Sequence, residues 1–82
     1  MTGIERRVLR MFDEMGRESL DLHELFEAGG NDPDARREVF YTVEGLVERG
    51  LLEERGNDFY ALTEEGRRAG QGTAAGPPDE KG

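Results

Sequence analysis

The chain has 82 residues, 19 of them acidic and 11 basic, for a formal charge of −8, and it contains no cysteine. That length suits one small domain, and the missing cysteine excludes disulfide staples, thiolate zinc sites and cysteine nucleophiles. Net acidity favours solubility and repels polyanions; no stretch approaches the ~20 apolar residues of a membrane span, or the apolar run of a signal peptide, so a soluble cytoplasmic protein is expected.

The first helix is read from Ile4, Val8, Met11, Phe12 and Met15, whose offsets follow one face of an amphipathic helix. Gly16 stops it. Leu9 lies off that stripe, either at the core edge or as a dimer contact. Residues 17–20 suit a short edge strand. Asp21 with Glu24 forms a capping-box pattern that starts a second helix. Leu22, Leu25 and Phe26 are its buried face, and Gly29 and Gly30 end it. A third helix follows Asn31 or Asp32 as cap, with Pro33 in its first turn. Val39, Val43, Leu46 and Val47 point inward, and Gly50 closes it. Residues 51–55 and 59–62 read as two strands joined by Gly56, Asn57 and Asp58, residues that accept positive φ. Tyr60, Leu62 and one of Leu51 and Leu52 are expected in the core. Thr63 caps a last short helix, with Glu64 and Glu65 at its positive end and Arg67 and Arg68 near its negative end. The expected layout is a domain over residues 1–69 and a disordered tail over 70–82, rich in Gly and Pro.

This order of elements predicts an α+β winged helix-turn-helix: a three-helix core, a two- to three-stranded hairpin wing and a short C-terminal helix. The run REVFYTVEGLVERGLLEE followed by FYALTEEGRRA resembles the PadR family of bacterial winged-helix regulators, with MarR-like domains next. The resemblance rests on Phe40, and beside it Tyr41, in mid-helix; on Leu46, Gly50 and Leu51 at the helix end; and on Tyr60, Leu62, Thr63, Gly66 and Arg67 after the wing. It covers residues 36–69 closely and residues 4–30 by pattern alone. It implies a transcription regulator that binds double-stranded DNA as a homodimer on a palindromic site. PadR-like chains carry further C-terminal dimerisation helices, which have no counterpart in this pattern.

The third helix of such a fold enters the major groove, and the wing reaches the backbone or minor groove. The DNA-contacting residues are then Arg36, Arg37, Phe40, Tyr41 and Arg55. Arginine suits phosphate or guanine, and a tyrosine hydroxyl suits phosphate. Arg6, Arg7 and Arg10 make a second basic cluster. The opposing signal is charge: residues 16–32 hold five acids against Arg17 alone, and Asp32 and Asp34 occupy the helix end that would otherwise welcome phosphate. Locally paired arginines on a solvated helical face would explain the same residues without DNA. An acidic module that docks a basic or apolar protein partner through Phe40 is therefore the alternative. Phe40 and Tyr41 do not both fit into so small a core, so one of them is expected to be partly exposed, at a packing edge or toward a partner.

Catalysis finds little support. His23 is the sole histidine, the carboxylates show no acid–base or metal-cage spacing, and the glycines sit at element ends without a phosphate-binding loop. No cofactor is expected. Lysine is scarce, Lys81 being the one present. With the acidity, that fits adaptation to a high-salt cytoplasm. The expected result is a cooperative fold in molar salt that unfolds in dilute buffer, followed by circular dichroism; stability indifferent to salt would remove the idea.

Overall fold

The computed structural model describes residues 1–30 and 32–75. It is an α+β fold of four α-helices and a three-stranded antiparallel sheet: α1 (Gly3–Glu14), β1 (Ser19–Asp21), α2 (Leu22–Leu25), a 3₁₀ turn (Phe26–Ala28), α3 (Pro33–Glu48), β2 (Leu52–Gly56), β3 (Phe59–Leu62) and α4 (Glu64–Ala75).

Local chemistry sets the boundaries. α1 begins before the apolar stripe because Thr2 and Glu5 form a reciprocal capping box, a Thr-x-x-Glu signal that hydrophobic periodicity does not register. Asp21 ends β1 and caps α2: its Oδ1 accepts the Glu24 N–H at 2.9 Å, and Glu24 Oε1 accepts the Asp21 N–H at 3.0 Å. Of the two candidate caps for α3, Asp32 does the work, accepting the Ala35 N–H at 2.9 Å; Asn31 lies outside the described residues. At the other end of α3, Gly50 adopts φ +79°. That conformation lets the Gly50 N–H reach the Val47 carbonyl at 3.0 Å and the Leu51 N–H reach the Leu46 carbonyl at 2.9 Å, so helix-end acceptors are satisfied and the chain turns toward β2.

The strand order is β1-β3-β2. Leu20 pairs with Tyr60 and Leu52 with Leu62. The hairpin turns through Asn57 and Asp58, with φ 53° and 64°, the doubly positive geometry that matches strand twist. The register slips between Glu54 and Gly56, leaving Arg55 without a partner across the ladder.

The core gathers Val8, Leu9 and Phe12 from α1, Leu20, Leu25, Ala28, Val39, Val43 and Leu46, and Leu52 and Tyr60 from the hairpin. Several expectations change here. Leu9 is 2% exposed and lies against Gly70 of α4, so it is core and not a dimer contact. Met15 is 44% exposed: α1 has already ended at Glu14, so the stripe does not extend to it. Phe26 is only half-buried, packed against the edge of the core where the chain enters the 3₁₀ turn. Leu52 is the buried leucine of its pair, while Leu51 and Leu62 are half-buried.

Thr63 caps α4, its Oγ1 accepting the Gly66 N–H at 3.0 Å and donating to the Gly50 carbonyl at 2.7 Å. That second bond ties the start of α4 to the end of α3. α4 runs to Ala75, past residue 70 where the tail is expected to begin; residues 76–82 of that segment lie outside the described residues. Gly45 and Gly66 sit inside helices, not at element ends.

Candidate nucleic-acid interface

α3 buries Val39, Val43 and Leu46. The 3.6-residue period then turns Arg36, Arg37, Phe40 and Tyr41 outward, and all four are exposed. Phe40 is 38% exposed and Tyr41 66%, so both aromatics face solvent where the sequence led us to expect one. Their ring centroids are 5.9 Å apart. Arg55 is exposed on the hairpin.

The structure distinguishes the three arginines. Arg37 Nη1 lies 3.6 Å from Asp34 Oδ1, and Arg55 Nε donates to Glu53 Oε1 at 3.0 Å. Such exposed pairs contribute ~0–1 kcal/mol each, so they can be exchanged for a stronger anion. Arg36 differs: its guanidinium carbon stands 5.5 Å from the centroid of the Phe26 ring, and it has no ion pair among the described residues.

Carboxylates interrupt this surface. From residue 32 to 49, Asp32, Asp34, Glu38, Glu44 and Glu48 face Arg36, Arg37 and Arg49. Glu53, Glu54 and Asp58 outnumber Arg55 on the hairpin. The field where α3 meets the hairpin is correspondingly negative. Tyr60 donates to Glu44 Oε2 at 3.4 Å, and burial, reinforced by Glu44, Glu54 and Asp58, raises its phenol above the ordinary range.

The second basic cluster is mostly absorbed by the fold. Arg7 Nη1 donates to the Ala28 carbonyl at 2.7 Å, closing the 3₁₀ turn against α1. Arg6 is half-buried, with an Nη2 contact to the Met1 carbonyl at 3.4 Å. Arg10 is exposed, with no ion pair among the described residues. Arg49 instead bridges α3 to Glu5 of α1 at 2.7 Å. The Thr2 backbone N–H, aided by that guanidinium, holds the Glu5 carboxyl below its ordinary range, against the opposing pull of desolvation.

A groove of about 490 Å³ runs between α1 and α4, away from α3, where Arg10, Arg17 and Arg67 are matched by Asp13, Glu18 and Glu64. His23 is exposed and edge-on to Phe26 at 5.9 Å. Among the described residues, no group of three or more His, Asp or Glu is placed to hold a metal, and no helix is long and apolar enough to cross a membrane. No protein-family model, curated protein or solved structure matches the chain.

Proposed function

We propose that the chain is a winged helix-turn-helix of PadR-like type, a transcription regulator that inserts α3 into the major groove of double-stranded DNA. In this reading α2 and α3 are the helix-turn-helix and β2–β3 is the wing. The observation that carries it is the uncovered face of α3, where Arg36, Arg37, Phe40 and Tyr41 stand opposite the buried Val39, Val43 and Leu46. Arg37 and Arg55 exchange their exposed carboxylate partners for phosphate, Tyr41 donates to phosphate, and Phe40 makes apolar contact with a base edge. Binding as a homodimer to a palindromic site belongs to the same proposal.

The interposed carboxylates have a quantitative consequence. Non-specific affinity comes from phosphate neutralisation, and its salt slope scales with the number of phosphates contacted, so here it is weak and falls only gently with salt. The test is a titration of the full chain against mixed genomic duplex, at the lowest salt in which circular dichroism shows the fold intact. Binding should weaken as salt rises and weaken further, about tenfold, in the Arg36→Ala/Arg37→Ala double variant. No binding under those conditions would sink the DNA reading.

One observation favours a second reading. Phe40 and Tyr41 are both exposed and are surrounded in sequence by carboxylates, which suits docking of a basic protein segment through cation–π contacts. That reading predicts no DNA binding and loss of partner binding on Tyr41→Ala.

A further inference from the structure

We infer that Phe26 is a positioning residue for Arg36, and that Arg36 is the base-reading arginine, directed at the major-groove edge of guanine. This rests on the DNA-binding reading and goes beyond it by dividing the labour among the arginines.

The geometry separates Arg36 from its neighbours. Arg37 has a carboxylate oxygen at 3.6 Å and Arg55 has one at 3.0 Å. Each must give up a partner before it touches DNA. The Arg36 guanidinium instead lies over a ring, with its carbon 5.5 Å from the Phe26 centroid. A cation–π contact of this kind commits no N–H to a carboxylate, so the guanidinium N–H edges remain available. Those edges are the fork that pairs with guanine O6 and N7.

The ring is itself held in place. The Phe26 carbonyl accepts the Gly29 N–H at 3.1 Å and the Gly30 N–H at 3.0 Å, which pins its backbone at the turn between α2 and α3. His23 meets the ring edge-on at 5.9 Å and 69°. On the other side, Arg36 stands in the first turns of α3 and its N–H bonds the Asp32 carbonyl at 3.0 Å. A long, flexible side chain is thus restrained before it meets its target, which lowers the ordering cost of binding.

The acidic surroundings fit this division. Where phosphate contacts are few, discrimination rests on base contacts, since phosphates position and bases specify. Phe26 is a positioning residue because it acts through Arg36 without touching DNA.

The test begins with full-length protein selecting from a randomised duplex pool. Binding of the enriched duplex, of single base-pair variants and of an unrelated duplex is then measured by fluorescence anisotropy. Wild type should prefer G·C at one position per half-site by about tenfold or more. Arg36→Lys should abolish that preference while leaving affinity for the unrelated duplex within about twofold, because the charge remains. Phe26→Leu should reduce the same preference, and Phe26→Tyr should restore it; a role confined to packing would lower thermal stability without touching base preference. Arg37→Lys should leave the preference in place. Should Phe26→Leu not fold, Arg36→Lys and Phe26→Tyr carry the test. A preference untouched by Arg36→Lys, or lost equally with Arg37→Lys, overturns the inference while the DNA reading stands. An absence of binding to every duplex overturns both.

Discussion

Gly66→Ala is expected to destabilise the protein by about 3 kcal/mol or more, at or above the upper end of ordinary overpacking, and to lower Tm by on the order of 10–20 °C. A Cβ at residue 66 would collide with the Leu51 carbonyl oxygen and sit 2.8 Å from Leu62 Cδ1. The side chain could yield, but the carbonyl belongs to backbone that also receives the Thr63 N–H at 3.3 Å. α4 would have to lift away from the junction between α3 and β2. Gly45→Ala is the internal contrast. Gly45 lies within α3, and an added Cβ there meets nothing within 4 Å, so the change should stabilise by about 0.5–1 kcal/mol. Thermal circular dichroism on both variants decides it; equal shifts would refute the close-approach explanation.

Phe12→Ala should remove ~3–5 kcal/mol, the range for truncating a buried aromatic. Phe12 is 1% exposed and belongs to the cluster that joins α1 to α3 and the sheet. A domain of this size has on the order of 4–12 kcal/mol in total, so the variant should be substantially unfolded in mild denaturant. Urea titration would show a large fall in midpoint. A midpoint within error of wild type would mean that the core does not depend on this residue. Loss of DNA binding in such a variant would carry no information about the interface, which is why the Arg36 and Arg37 substitutions are placed on exposed positions.

Much of this architecture was readable in the chain because it is written in short-range chemistry. Asp21 with Glu24, Pro33 after Asp32, and Gly50 after Glu48 each declare a helix end through backbone groups within four or five residues. Asn57 and Asp58 likewise declare a turn through conformations that few other residues accept. What could not be read was set by approach through space. Leu9 looked marginal on the α1 wheel because α4, which covers it, returns from far along the chain. Gly66 looked like one more small residue in a short helix until the Leu51 carbonyl appeared beside it.

The candidate site divides in the same way. Outward placement of Arg36, Arg37 and Tyr41 follows from the apolar spacing of Val39, Val43 and Leu46, and was legible. Exposure of both Phe40 and Tyr41 was not, since it depends on how completely Tyr60 and Leu52 fill the space beside α3. The Phe26–Arg36 cation–π contact also escaped the sequence, which shows only an aromatic and an arginine ten positions apart. Packing of the 3₁₀ turn, which begins at Phe26, against α3 brings them together.

The strand order has one more consequence. Because β3 lies in the middle, β2 forms an open border of the sheet, and its exposed residues are Glu53, Glu54, Arg55 and Gly56. An unpaired ribbon margin is a template onto which a stray chain can add, and closely spaced charge together with the kink at Arg55 discourages that addition. The carboxylates that weaken this hairpin as a grip on polyanions therefore guard it against aggregation, and neutralising them to improve one property would erode the other.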